Sequence, residues 1–376
     1  MHTAGIIFSN LHDQDIPELT EQRTMASVPF GCRYRMIDFA LSNMVNSGIK
    51  NVHVITHYNY RSLMEHIGSG KDWDLARRSG GIKILPPFIT AYANSTNSLY
   101  DSRLEALKSI YHTISDIEED YVVLSDCDSV CNINIRDMLE YHIRANADIT
   151  LAVKETKLTK SSAAKNTLIF SDSEGILNDI AVRPKNFSGK ADINLNIWIV
   201  TRRYLTDAVL DSIAHGYDSF SRDIIAKNIN KRNYRIYRFD GYYANITSLE
   251  DYFAHSMDML DKETREKVFN VPDHPVLTKT RNSAPTVYCG ESKVNDSLIA
   301  DGCKIEGTVE NSILFRGVKI GKNAIVRNSI LFQDTFVGEN AFVNCVVADK
   351  NTVIKSGSML SGHQSKPYYT EKGKIL

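Results

Sequence analysis

Apolar residues recur along this chain with two different spacings, and the change falls near residue 290. In the first part, short continuous apolar runs are separated by stretches with apolar residues at helical spacing. Ala4-Gly5-Ile6-Ile7-Phe8 reads as a buried strand, and Ile37, Ala40, Leu41, Met44 and Val45 then mark one helix face that stops at Gly48. Asn51 to Thr56 and Ile82 to Leu85 read as strands around a helix from Tyr60 to Ile67. Leu104, Leu107, Ile110, Tyr111 and Ile114 share a helix face, and Tyr121 to Val130 reads as a buried strand ending in acidic residues. A helix from Tyr204 to Ala214, a strand from Tyr234 to Phe239 and a helix from Leu249 to Leu260 follow. Strands alternating with helices predict an α/β domain whose mainly parallel sheet is covered on both faces.

Beyond Tyr288 the apolar positions come in short groups five to eight residues apart, punctuated by Ile-Gly and Val-Gly turns. Glu310 to Val326 is followed directly by a similar stretch, Arg327 to Val343, at an offset of 17 residues, with weaker copies on either side. Such spacing predicts a left-handed parallel β-helix of stacked coils, with Ile299, Ile305, Ile313, Ile320, Ile325, Ile330 and Val337 as candidate inward residues. The expected organisation is a domain over 1–261, a linker over 262–288 that carries Pro272, Pro275 and Pro285, and the β-helix over 289–376.

At 376 residues the length suits two domains. The formal net charge of -1 gives no reason to expect nucleic acid or an acidic membrane as partner. Six scattered cysteines, Cys32, Cys127, Cys131, Cys289, Cys303 and Cys345, lack pair-of-pairs spacing and read as reduced thiols rather than a zinc site. No apolar run approaches the ~18 residues of a membrane span. The first strand begins straight after Met1-His2-Thr3, and the expected location is the cytoplasm.

The candidate chemistry lies in the loop Ser9 to Asp15, in Leu19-Thr20 and in Val28-Pro-Phe-Gly-Cys-Arg-Tyr-Arg-Met-Ile-Asp-Phe39. This opening resembles the sugar nucleotidyltransferases, above all the glucose-1-phosphate adenylyltransferases of bacterial glycogen synthesis. The family loop reads roughly G-G-x-G-x-R-L-x-x-L-T, and a Lys-Pro pair precedes V-x-F-G-G-K-Y-R-I-I-D-F. On that register the glycines become Asn10, Leu11 and Asp13, the arginine becomes Asp15, and Met25-Ala26 replaces Lys-Pro. Glycine lets backbone N–H groups converge on a phosphate, and Leu11 removes that freedom. An aspartate where an arginine gripped phosphate turns attraction into repulsion, about 4 kcal/mol per charge at ~4 Å and an effective dielectric near 20. The loop is expected to bind triphosphate poorly.

The resemblance runs through nearly the whole chain and implies a Rossmann-like fold followed by the β-helix. Tyr92 to Leu99 stands where the family has W-Y-R-G-T-A-D-A, with Thr96 retained. The family's metal-binding aspartate falls on Asp128, with Asp126 additional; either carboxylate taken alone also suits a solvated turn with a helix cap. Ile180 to Pro184 matches V-E-K-P with Arg183 at the lysine, and Asn194 to Trp198 replaces S-M-G-I-Y. Thr96, Arg183 and Asn194 are thus candidate remnants of substrate binding, or in the case of Arg183 a surface residue on a structural strand. The second magnesium aspartate of W-x-D-V-G-T becomes Asn245. The family reaction, attack of glucose 1-phosphate on the α-phosphorus of ATP, depends on positioning and charge neutralisation by Mg²⁺. Losing several charge-stabilising groups at ~10²-fold each leaves little activity. The pattern of an intact scaffold with Asp13, Asp15, Met25 and Asn245 at stripped positions looks like the family's regulatory D-type branch, which works with a catalytic subunit in a tetramer. An active adenylyltransferase with a rearranged loop is the alternative. A hexapeptide acyltransferase fits poorly, since no histidine lies between Cys289 and Ser361.

Overall fold

The computed structural model describes residues 2–86 and 100–376; Thr96 and the rest of the Tyr92 to Leu99 motif lie outside the described residues. Strand β1 (Thr3–Phe8) is buried along its whole length, as an apolar run covered on both faces must be. Helix α1 (Met36–Asn46) begins where the Asp38 carboxylate accepts from the Arg35 N–H at 3.0 Å, and it ends before Gly48 at φ 84°. Strand β2 (Asn51–Ile55), helix α2 (Arg61–Ile67), strand β3 (Gly81–Leu85) and helix α3 (Arg103–Ser109) follow.

The acidic strand is shorter than the sequence suggests. It stops as β4 (Tyr121–Asp126), and after a turn at Cys127-Asp128 a separate strand β5 (Ser129–Cys131) leaves the sheet. Helix α4 (Ile135–Arg144) precedes β6 (Ile149–Leu158), β7 (Thr167–Ser171), β8 (Leu177–Val182) and the long β9 (Gly189–Thr201). Helix α5 (Arg202–His215), β10 (Tyr234–Arg238), β11 (Tyr243–Asn245) and α6 (Leu249–Asp258) complete the unit. The main sheet runs β8-β7-β9-β4-β1-β2-β3, with β6 joining β9 to β10. It is parallel around β1 and antiparallel at β9, and helices cover both faces. Strand β11 pairs with β5, placing Asn245 opposite Ser129, one residue beyond Asp128.

The segment expected to be a linker opens with a helix, α7 (Lys262–Phe269). Asp261 caps it through the Thr264 N–H at 2.8 Å, Val268 is buried, and Phe269 stacks on Tyr34 with centroids 4.7 Å apart. Its sequence hid this, because a mostly charged helix needs only two apolar anchors at one end to dock. The chain beyond it is tied along the first domain by Leu277 N–H to Ser42 Oγ at 2.8 Å and by Asn46 to the Pro275 carbonyl at 3.0 Å.

From Val287 the chain forms a left-handed β-helix of three five-stranded parallel sheets. Ile305, Ile320, Val337 and Ile354 stack in one interior column, Val309, Val326 and Val343 in a second, and Leu314, Leu331 and Ala348 in a third. Three of the candidate inward residues are placed otherwise. Ile325 faces outward beside the buried Val326, while Ile313 and Ile330 are buried outside the coil, against the first domain. That shared core gathers Leu19, Met25, Phe30 and Tyr252 with Phe315, Phe332 and Val347. The buried Arg23 guanidinium crosses the same junction to Asp349 at 2.7 Å.

Candidate functional site

The β1–β4 pairing is parallel with Phe8 opposite Asp126, so the loop leaving β1 and the carboxylates ending β4 emerge side by side. They form a cleft of about 310 Å³ bordered by Leu11, His12, Asp15, Arg103, Lys165, Arg183, Asn194, Asn196, Arg222 and Asn245. This is the crevice beyond the carboxyl ends of parallel strands, where open α/β sheets bind ligands.

The loop is held by side chains where a phosphate loop uses glycine. The Asn10 side-chain oxygen accepts from Ser9 Oγ (2.7 Å), Thr56 Oγ1 (2.8 Å) and the His57 N–H (3.0 Å), and its amide donates to Asp13 at 2.5 Å. Asp13 in turn accepts from the Met25 N–H at 2.6 Å. Burial pushes the Asp13 carboxyl up to about 7 against those hydrogen bonds. It lies on the far side of the loop, facing a separate groove, and does not line the cleft. Asp13, although it stands at a glycine of the family loop, therefore braces the loop and adds no charge to the cleft. Met25 is also out of the cleft, fully buried in the core shared with the β-helix.

Asp15 does face the cleft, and its carboxylate lies 3.0 Å from His12 Nδ1. The other ring nitrogen, Nε2, is 2.9 Å from Asp126 and 3.3 Å from Asp128. Burial disfavours the imidazolium, but the charge of Asp128, with Asp126 and Asp15, outweighs it and holds the His12 pKa well above its ordinary value. Arg103 grips Asp126 at 2.6 Å while its guanidinium stacks 4.0 Å over Trp198. Against burial, Arg103 and then His12 keep the Asp126 carboxyl below its usual range. Asp128 is raised, first by burial and then, with His12 opposing, by the neighbouring Asp126 charge.

Asn196, in a left-handed conformation at φ 58°, donates to Asp128 Oδ2 at 3.1 Å. Asn194 lies in the wall, its oxygen accepting from Trp198 Nε1 at 2.9 Å. Asn245 also faces the cleft, and its side-chain oxygen is buried without a donor. Arg183, at φ 49°, projects into the cleft alongside Lys165 and Arg222. Of the residues marked in the sequence, Asp15, Asp128, Arg183, Asn194 and Asn245 thus meet here, while Asp13 and Met25 do not. His12 and Arg103 carry no motif that marks them in the sequence. The only signal for His12 was its place inside the loop, and Arg103 opens an ordinary helix.

A nucleotidyl transferase family model matches residues 16–262, and a GlmU-like C-terminal hexapeptide model matches 286–366. The glycogen biosynthesis protein GlgD of Bacillus subtilis is 34% identical over 374 residues, 99% of this chain and 96% of that protein. The glucose-1-phosphate adenylyltransferase of Clostridium acetobutylicum is 33% identical over 317 residues, covering 82% of this chain and 80% of its own. The chain belongs to the glucose-1-phosphate adenylyltransferase family. The GlgD of Geobacillus stearothermophilus, 35% identical, covers 86% of the chain and 82% of its own.

The donor set in the cleft is a poor one for magnesium. Mg²⁺ favours an octahedron of oxygens, with carboxylates and substrate phosphates supplying the charge. Here Asn245 offers a neutral amide, Asp126 is taken by Arg103, and an imidazole nitrogen stands against both aspartates. The residues present do not fit Mg²⁺. Arg183 and Arg222 also border the cleft, as does Lys165, whose ammonium is held by Asp251 at 2.9 Å. Among the described residues no helix is long and apolar enough to cross a membrane.

Proposed function

We propose that this chain is a partner subunit of a glucose-1-phosphate adenylyltransferase in glycogen biosynthesis, weakly active or inactive alone, which modulates a catalytic chain in a hetero-oligomer, expected to be a tetramer. The observation that carries this reading is the state of the two buried aspartates. Both are engaged by the chain's own His12 and Arg103, and the position of the second metal carboxylate holds Asn245. Catalysis of phosphoryl transfer consists of aligning two anions and neutralising the charge that grows on the leaving pyrophosphate. A cleft that spends its cations on its own carboxylates does this badly. In this reading Mg²⁺ acts in the catalytic chain, while Arg183 and Arg222 keep affinity for a sugar phosphate or nucleotide here. The expected location is the cytoplasm, where both substrates are made.

The test is pyrophosphate release from ATP and glucose 1-phosphate with Mg²⁺, by the purified chain alone, by a catalytic chain alone, and by the two together. The expected result is negligible turnover alone and a changed rate, substrate affinity or effector response in the mixture. Robust turnover by the isolated chain, abolished by Asp128→Asn, would favour the active enzyme with a rearranged loop.

A further inference from the structure

We propose that the first coil of the β-helix is a docking surface for a second copy of this chain, the two coils meeting end to end about a two-fold axis. That coil consists of the strands Val287–Tyr288, Lys293–Asn295 and Leu298–Ile299, and among the described residues each stands at the edge of its sheet. In register, Tyr288 lies over Ile305, Val294 over Val309 and Ile299 over Leu314, so these three side chains head the three interior columns. One coil deeper the columns are closed, with Ile305, Val309 and Leu314 fully buried. In the first coil they are open: Tyr288 is 55% exposed, and Val294 and Ile299 are half-buried.

The backbone points the same way. Val287 and Cys289 each donate into the second coil, to the Cys303 and Ile305 carbonyls at 2.9 Å, and Leu298 and Ala300 donate to the Ser312 and Leu314 carbonyls at 3.0 and 2.9 Å. Successive residues of a strand turn their N–H and C=O groups to opposite sides, so Tyr288 and Ile299, between those donors, turn theirs to the open end. Strand edges around an apolar centre are a surface that folds cover, by pairing, by a cap or by charge. Lys293, the one charged residue of the three strands, is in register with Thr308 beside the inward Val294 and so points off the flank, leaving the end itself apolar.

The shape of the end and the state of the opposite end identify the occupant. A helix or a single extended peptide serves at most one of the three edges, whereas another coil end presents three edges around an apolar centre. At the far end of the coil, the outer edge of the sheet that Val287–Tyr288 begins is already taken by the chain itself: Val353 donates to the Lys374 carbonyl at 2.8 Å and accepts from the Leu376 N–H at 2.9 Å. Head-to-tail stacking would displace that segment. The open end therefore meets the same end of a second copy, an isologous contact that closes at two chains and does not propagate into a fibre. The inference is independent of the regulatory reading, since it needs no catalytic chain.

The experiment measures the mass of the full-length chain by sedimentation equilibrium over a concentration series. The expected result is a monomer–dimer equilibrium that stops at two chains. Tyr288→Lys and Ile299→Lys should each weaken it at least ten-fold with an unchanged far-ultraviolet dichroism. Met359→Lys, at a 77% exposed position on the outer face of the coil, should leave it unchanged. Hydrogen exchange in peptides covering 287–300 should slow as concentration rises, and exchange over 353–376 should not. A monomer at every concentration, open-ended growth beyond two chains, or a dimer that Tyr288→Lys leaves intact or Met359→Lys abolishes would overturn the proposal. Tyr288 is already more than half exposed, so its lysine variant remains a fair test even where Ile299→Lys loosens the first coil.

Discussion

Removing Arg23 tests the junction between the two domains. Its guanidinium, 3% exposed, donates from one nitrogen to both oxygens of Asp349, at 2.8 and 2.7 Å. Asp349, 2% exposed, also accepts from Tyr369 Oη at 3.1 Å and from the Lys350 N–H at 2.6 Å. Arg23→Met keeps the volume and strands a buried carboxylate. Breaking a buried pair from one side costs about 3–5 kcal/mol, because the remaining charge has lost its solvent and its partner. The two hydrogen bonds left to Asp349 soften this, so about 3 kcal/mol is expected. Arg23→Met combined with Asp349→Leu, which removes both charges, should recover most of the loss. Equilibrium urea unfolding, followed by dichroism and by tryptophan fluorescence, measures both; the two tryptophans, Trp73 and Trp198, are in the first domain, so loss of coupling would separate the two signals. A single variant costing less than about 1 kcal/mol, or a double variant no better than the single, would refute the reasoning that desolvated charge, rather than the surrounding apolar contact, sets the sensitivity of this junction.

Three further outcomes are expected. Burial, with Arg35 and Arg23 nearby, pulls the Lys350 ammonium down to about 7 from 10.5. A lysine whose folded pKa is depressed costs stability in full below about 7, and that cost fades as pH rises toward 10.5. Lys350→Met should thus raise the thermal midpoint most at pH 6, with about 5 kcal/mol as an upper bound, and change little near pH 10; a pH-independent gain would contradict this. Asn10→Gly, which restores a glycine to the loop, should destabilise the protein by about 2–4 kcal/mol through lost hydrogen bonds; because Leu11 and His12 still fill the cleft, it should give no added stabilisation by ATP in a thermal shift assay. In the β-helix, a Cβ at Gly321 would lie 2.8 Å from the Glu339 N and 2.9 Å from the Gly338 carbonyl carbon, so Gly321→Ala should lower the unfolding midpoint of the coil, whereas Gly290→Ala, with open space around it, should do so only through its φ of 49°.

The sequence by itself determined the two architectures. A run such as Ala4 to Phe8, apolar at every position, reads as a strand covered on both faces, and a 17-residue echo of a motif with Ile-Gly and Val-Gly turns reads as stacked coils, as both prove to be. It also marked Asp15, Met25 and Asn245 for attention, because the identity of a residue is local information. What it could not show was direction. Ile313 and Leu314 are equally apolar neighbours in a two-residue strand, yet Leu314 fills the coil and Ile313 meets the first domain, and only domain packing distinguishes them. Met25 became a core residue for the same reason, and Asp13 turned away from the cleft because Asn10 and the Met25 N–H hold it there. The meeting of His12 with Asp126 and Asp128 was equally hidden, as 114 residues of chain separate His12 from Asp126. It follows from one parallel register, Phe8 beside Asp126, which carries two unrelated strand ends to the same edge of the sheet. Periodicity fixes which residues are buried; tertiary packing alone decides what each buried residue faces.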